Sequence, residues 1–252
     1  MARRGSSQQR NDQRRLSKQR AMRMQSWRKT EPTLLCPVMK QKKSTCYAIA
    51  LEFHLKLKKK MPLDQHLSIQ DFINLIPKGY LNAEDGSLMV DAFHVLSIFE
   101  KNGILLEKDC QLTESLVDVV CEDKKNCLRY HAKLVKLHKL NPEGKDNVTT
   151  LEYHTFHDNL IKHLKKGVLA VGLTIYPSYS KLKNKEIYYP TKAEWNGKTE
   201  SYAHVMVCTG HNYDAKKNLF YEFQESAGVK VCDRGYVKIY ADLVYQFVEM
   251  VV

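Results

Sequence analysis

The chain has 252 residues, with 40 Lys+Arg against 28 Asp+Glu and a formal charge of +12. The excess is local: ten basic residues against Asp12 alone give residues 1–30 a charge of +9, and residues 31–252 carry only +3. A near-balanced body with 43% apolar and 10% aromatic residues excludes general disorder and a wholly basic nucleic-acid binder; its length fits one large domain or two joined lobes.

Residues 1–24 are polar, rich in Arg, Gln and Ser, and lack apolar periodicity, which predicts a flexible tail ahead of a folded domain over 25–252. No apolar stretch of roughly 7–15 residues follows the basic start, so a secretory signal is not expected. No later segment approaches the roughly 18 apolar residues of a membrane span. The expected address is therefore intracellular, cytoplasm or nucleus, with no membrane contact. A solvated tail is the simpler reading of the arm at 1–30, and weak nucleic-acid contact is its alternative. No aromatic residue precedes Trp27 to stack on bases.

From Trp27 the composition becomes globular, with Pro32 and Pro37 marking an extended entry. Ser44 and Thr45 precede the mostly apolar run Cys46–Phe53, which predicts an N-capped, buried helix ending at the Lys58–Lys60 cluster. Ser68-Ile69-Gln70-Asp71 is a capping-box pattern opening a second helix stopped near Pro77. A third helical pattern spans Leu88–Phe99, ended by Asn102-Gly103, and a short helix is expected around His157–Lys166. Strand-like runs follow at Val168–Tyr176, Val205–Cys208, Leu219–Phe223, Tyr236–Tyr240 and Tyr245–Val252. Helices first and strands later predict an α+β fold with segregated lobes.

Seven cysteines, an odd number without a signal, make reduced thiols the default. Cys121, Cys127 and His131 come nearest to a metal cluster, but their spacing matches no standard zinc pattern, so neither metal nor cofactor is expected. Asn147-Val148-Thr149 is a glycosylation sequon, expected to be inert without secretion.

A cysteine in the first turn of a buried helix has a specific meaning. Unpaired N–H groups and the partial positive charge of the helix end stabilise a thiolate and can cradle an oxyanion. Cys46 occupies that place, although a small core residue is the commonest fate of a free cysteine. Its surroundings add to this. Gln41-Lys42-Lys43-Ser44-Thr45-Cys46-Tyr47-Ala48 resembles the active-site helix entry of papain-like cysteine peptidases. Tyr202-Ala203-His204-Val205-Met206-Val207-Cys208-Thr209-Gly210 is similar to that family's His-Ala-Val strand running to a glycine. Phe223-Gln224-Glu225-Ser226-Ala227-Gly228 followed by Gly235-Tyr236-Val237-Lys238-Ile239 resembles its Asn-Ser-Trp-Gly…Gly-Tyr-Ile signature. Ser26-Trp27-Arg28, Leu67–Asp71 and Gly86-Ser87-Leu88-Met89-Val90-Asp91-Ala92-Phe93 supply weaker matches, the last beside the substrate cleft. The resemblance covers roughly residues 26–245 with the landmarks in order.

It implies a papain-like two-lobe fold, with a helical lobe over about 40–140 and an antiparallel, barrel-like β lobe over about 141–252. It also implies peptide-bond hydrolysis of a peptide or protein substrate by a monomer. In that scheme Cys46 attacks as a thiolate paired with His204, and Gln41 with the Cys46 N–H holds the oxyanion. Gly86, Ser87 and Ala203 border the cleft. The family default of lysosome, vacuole or extracellular space conflicts with the absence of a signal and of the inhibitory prosegment.

Four departures bear on activity. Gln41 lies five residues before Cys46 rather than six, and the loop between them contains no glycine to ease its turn. Glu225 stands where the orienting Asn belongs; its carboxylate can accept from the imidazole and favours the charged ring. Ala227 replaces the Trp that shields this bond, which predicts a wetter pair. The cysteine expected between Gln41 and Cys46 is missing, and Glu84 takes its partner's place. Two readings therefore stand: a thiol peptidase, or a catalytically impaired scaffold that binds peptides or a protein partner through the old cleft.

Overall fold

The computed structural model describes residues 24–82, 84–89, 93–113, 119, 121, 127–141 and 148–252. The expected tail at 1–24 falls outside these except for Met24, as do Val90–Ala92 of the expected third helix and Asn147 of the sequon. In chain order the structure runs β1 (Gln25–Ser26), α1 (Trp27–Thr30), α2 (Cys46–Lys58), α3 (Ile69–Leu75), α4 (Phe93–Leu96) and α5 (Ile98–Lys101). It continues through β2 (Leu134–Lys139), α6 (Thr150–Leu164), β3 (Leu169–Ile175), β4 (Ile187–Tyr188) and β5 (Tyr202–Tyr213), then β6 (Leu219–Gln224), β7 (Tyr236–Tyr240) and β8 (Val244–Val251). Among the described residues no helix is long and apolar enough to cross a membrane.

The helices of the first half pack on a sheet drawn mainly from the second, an α+β arrangement. The sheet order is β2-β8-β3-β5-β6-β7-β4, with β1 added to the end of β5. All pairs are antiparallel except β4 with β7. Strand β2 pairs with β8 along its whole length, so the sheet draws on residues ahead of position 141. Long β5 is the spine: β3 pairs along its first half and β6 along its second, with a register shift between Cys208 and Gly210. Gly210 is required there because a Cβ would meet the Gln25 carbonyl at 2.4 Å, so β1 could not lie alongside.

Two cores result. One surrounds α2, whose residues Tyr47–Lys56 are all buried; Leu51, Phe53 and Leu55 meet Phe72, Phe99 and the near face of the sheet. The other lies between α6 and the far face, where Leu160 and Leu164 meet Val171, Tyr221 and Phe247. A helix buried on nearly every side needs no amphipathic stripe, which explains the continuous apolar run read from Cys46. Polar groups inside are tied down. Lys56 Nζ donates to the Leu63 carbonyl at 2.9 Å, and Arg129 grips both oxygens of Asp71 at 3.0 Å while donating to the Gly103 carbonyl.

Several sequence expectations are corrected. Leu88 and Met89 do not join the expected Leu88–Phe99 helix, since Leu88 is held in a bridge to Leu81 and Met89 is exposed; the described helical residues of that stretch are Phe93–Leu96, with Ile98–Lys101 following as a separate element. Helix α6 begins seven residues earlier than expected, at Thr150, set by a capping box between Thr149 and Glu152. Ser68 caps α3 through the Asp71 N–H, but the Asp71 carboxylate turns to Arg129 and the Leu105 N–H instead of closing the box. Cys110 and Cys121 are joined as a disulfide with Cα atoms 5.3 Å apart, against the reduced-thiol default; this removes Cys121 from any metal cluster. Residues 25–30 belong to the body: the Trp27 indole donates to the Leu164 carbonyl at 2.8 Å, and Arg28 lies 4.0 Å from the Tyr236 ring centre.

Buried histidines set the pH response. Burial, with nearby positive charge in support, holds His54 and His157 down at about 3 and His211 at about 4. The unfolded chain protonates these rings near about pH 6.5, so their contribution is intact above that pH and is lost as pH falls toward the folded values. Glu52 runs the other way: burial raises it to about 8, so its contribution is lost as pH rises through that value. His204, raised to about 10, acts with Glu52, so the three rings prevail only below about pH 6.5, where the unfolded chain is mostly protonated at them. The urea midpoint is expected to fall from about pH 6.5 to about pH 5; an unchanged or higher midpoint at the lower pH contradicts this assignment.

Candidate active site

The helix entry that places Cys46 is a braced loop. Lys43 adopts φ +50°, the left-handed turn that the missing glycine would have eased. The Thr45 hydroxyl, expected to cap α2, donates instead to the Lys42 carbonyl at 2.8 Å and closes the turn beneath the helix. Where the family has a disulfide, polar bonds do the tying. Lys43 Nζ donates to the Glu84 carbonyl at 2.9 Å, Ser44 Oγ to the Asp85 carboxylate at 2.9 Å, and the Ser44 N–H to the Asp85 carbonyl at 3.0 Å.

His204 arrives on β5, third residue of the strand, and Glu225 directly after β6. The β5–β6 pairing, with Val207 opposite Gln224, brings the two together across the hairpin. His204 Nε2 donates to Glu225 Oε1 at 3.0 Å, and Cys46 acts on the same ring. Gln41 is held by the loop that follows Glu225: its N–H donates to the Ser226 carbonyl at 2.6 Å, and its Oε1 accepts from Ser226 Oγ. Ser226 thus links Gln41 to Glu225, which in turn holds His204.

The pair is dry, not wet. His204 is 9% and Glu225 3% exposed, despite the alanine at position 227. The cover is Tyr179, from a single helical turn at Pro177–Lys181 that the sequence reading passed over. Its ring meets the imidazole edge to face at 6.4 Å, and its hydroxyl donates to Glu225 Oε2. Glu225 thus has His204 and the Ser226 N–H on one oxygen and Tyr179 on the other. Burial alone would raise the Glu225 carboxyl, but the bond and charge of His204, with Tyr179 and Ser226, hold it below the usual carboxylate range. Burial alone would lower His204; the bonds and negative charges of Cys46 and Glu225 prevail and push it up to about 10. The tyrosine hydroxyl is pushed far up by burial and by Glu225, so it stays a donor.

Beside Cys46 opens a cavity of about 570 Å³, lined by Ser87, Leu88, Ala203, Val205, Tyr245 and Gln246 among others. Ser87 and Ala203 therefore border it as expected. Gly86 sits one residue outside the lining with φ +70°, its carbonyl accepting from the buried Tyr47 hydroxyl at 3.0 Å. The far wall, Tyr245 and Gln246, comes from the last strand, and no motif marks it in the sequence.

Removing the tyrosine hydroxyl leaves a buried carboxylate oxygen without its donor. Tyr179→Phe is expected to lower unfolding free energy by about 1–3 kcal/mol in urea melts. A change within about 0.3 kcal/mol would show that Tyr179 merely fills space.

No family model matches the sequence, and no curated protein matches it either. Solved structures do. The ragweed pollen allergen Amb a 11, a cysteine protease in its proform, superposes with TM-score 0.63 at 15% identity over 91% of this chain and 65% of its own. The bromelain protease from Ananas comosus, solved with the E64 inhibitor, gives 0.62 at 13% identity over 91% of this chain and 98% of its own. The digestive procathepsin L2 of Tenebrio molitor larval midgut gives 0.64 at 18% identity over 91% and 68%. The chain thus spans about two thirds of the proforms and nearly all of the mature enzyme. With helices leading, a sheet following and Cys46 and His204 meeting between them, the chain has the two-lobe α+β fold of the papain-like cysteine proteases.

Proposed function

We propose that the protein is a cysteine peptidase working through Cys46 and His204, oriented by Glu225. The observation that supports it most is the placing of half-buried Cys46, at the N-terminus of α2 and on the cavity, with the buried His204–Glu225 pair. With the proton on His204, Cys46 Sγ attacks the peptide carbonyl carbon as a thiolate. The carbonyl π pair moves onto oxygen, where the Cys46 N–H and the Gln41 carboxamide receive it. Collapse re-forms the carbonyl and expels the amine, which takes the His204 proton and leaves a thioester. Water, losing a proton to the now neutral His204, then attacks the thioester and releases the acid.

Glu225 makes the second half-reaction the slow one. An Asn at this place is neutral, whereas Glu225 keeps a full negative charge beside His204 after Cys46 has become a thioester. The ring then tends to remain protonated at neutral pH, when deacylation needs it neutral. This same charge favours the second reading, a cleft that engages peptides or a protein partner with little turnover. The two readings differ in the chemistry of Cys46, not in the fold.

An E64-type epoxide, the inhibitor present in the bromelain structure, tests the nucleophile. One equivalent is expected to add to wild type at Cys46 and none to Cys46→Ala. Absence of adduct at any pH between about 4 and 8 would sink the peptidase reading in favour of the binding scaffold. The pH profile tests Glu225. Turnover of a peptide amide should rise with pH above neutrality, following loss of the His204 proton in the acyl-enzyme, where Glu225 still holds the ring above its ordinary value. Glu225→Gln keeps the hydrogen bond without the charge and should move that limb down by about one unit or more; an unmoved limb means that the carboxylate charge does not govern His204.

A further inference from the structure

At the β2–β8 end of the sheet, three metal-ligating side chains converge from three separate elements: His138 on β2, His163 near the end of α6 and Glu249 on β8. His138 Nε2 stands 2.9 Å from Glu249 Oε2, His163 Nδ1 stands 3.6 Å from Glu249 Oε1, and all three ligand atoms lie within 4.8 Å of one another. Around a tetrahedral ion with bonds of about 2.0–2.1 Å, ligand atoms sit about 3.3 Å apart. Shifts of well under a side-chain rotamer close that difference.

We propose that His138, His163 and Glu249 form a binding site for a divalent transition-metal ion of the zinc class, with an open fourth position for water. Two nitrogens and one carboxylate are the donor set that zinc accepts. Each ring is already fixed. His138 stacks on Phe247 at 4.4 Å with an interplanar angle of 7°, and His163 packs against the same ring at 5.7 Å. Both histidines are mostly covered, with side chains 15% and 13% exposed, so little rotamer freedom remains to be lost on binding. His138 Nδ1 faces the Asn159 carboxamide at 3.2 Å. When Nε2 holds a metal, Nδ1 carries the proton, and Asn159 turned over by half a rotation offers its oxygen to it.

Lys58 and Lys166 lie near His163, and Lys136 near Glu249, so one carboxylate faces three ammonium groups. Those charges oppose any divalent ion and lower its affinity; the choice among ions is made by the donors, since one carboxylate is too few oxygens for calcium or magnesium while two imidazole nitrogens suit zinc. Occupied, the site clips edge strand β2 and helix α6 to β8, whose Tyr245 and Gln246 form the cleft wall. The inference is independent of the chemistry proposed for Cys46.

The test is calorimetric titration of the full chain with zinc chloride after chelator treatment, with cobalt(II) absorption as the second readout. One zinc per chain is expected, with a rise in melting temperature on saturation. Cobalt should give d–d bands without the near-ultraviolet thiolate charge-transfer band, which separates this site from the free cysteines. His163→Gln and Glu249→Gln should each lose affinity by at least about tenfold, while Cys46→Ser keeps it. Lack of saturable binding, a thiolate band, or affinity unchanged in both ligand variants overturns the proposal. The cobalt spectrum of wild type decides the matter even if a variant does not fold.

Discussion

His204 and Glu225 share a hydrogen bond of 3.0 Å in a place that water hardly reaches, and a buried pair of charges makes demands on everything around it. Each ion removed from water must recover the loss through geometry and additional hydrogen bonds, or the pair is worse than apolar packing. The surroundings here meet those demands group by group. Tyr179 gives a hydroxyl to the second carboxylate oxygen, the Ser226 N–H supports the first, and Cys46 acts with Glu225 to keep the ring charged. Ser226 then passes the constraint on to Gln41, so the loop that anchors Glu225 also aims the carboxamide. The β5–β6 hairpin sets the spacing between histidine and carboxylate, and the packing of α2 against β5 sets where the thiol meets them.

Where the family pattern has a tryptophan beside a neutral Asn, this chain has Ala227 and Glu225, and Tyr179 from another segment donates to the Glu. The tyrosine supplies apolar cover through its ring and also the donor that the second carboxylate oxygen requires, which a tryptophan ring over an Asn need not provide. In this chain the charged orienting group and the donor that covers it match one another, and the histidine is buried. The consequence falls on protonation: a neutral orienter leaves the ring free to exchange its proton, and a charged one retains it.

Much of this was legible in the sequence, because strongly local signals carried it. The buried helix from Cys46, the Ser68 cap, the β3, β6, β7 and β8 runs and the order of Cys46, His204 and Glu225 all rest on short contiguous patterns. The strained turn at Lys43 was legible too, since a glycine-free loop of that length has few ways to close. What stayed hidden depends on contacts between distant segments. Tyr179 is one tyrosine of several in a stretch without periodicity, and only the folded chain shows that it covers Glu225. Edge strand β2 carries lysines that blur its alternation, and Leu88 reads as helical until its bridge to Leu81 is known. His138, His163 and Glu249 lie at spacings that match no ligand motif, since three elements deliver them.

The account rests on a histidine kept charged by its two partners, and nitrogen-15 spectra of the His204 ring test that most directly. In uniformly ¹⁵N-histidine-labelled protein, both ring nitrogens should stay in the protonated range as pH rises, giving way only near about 10. Glu225→Gln should bring that transition down toward the ordinary value. Titration of His204 in the wild type at about 6.5, the value of an unperturbed imidazole, would contradict the account at its centre.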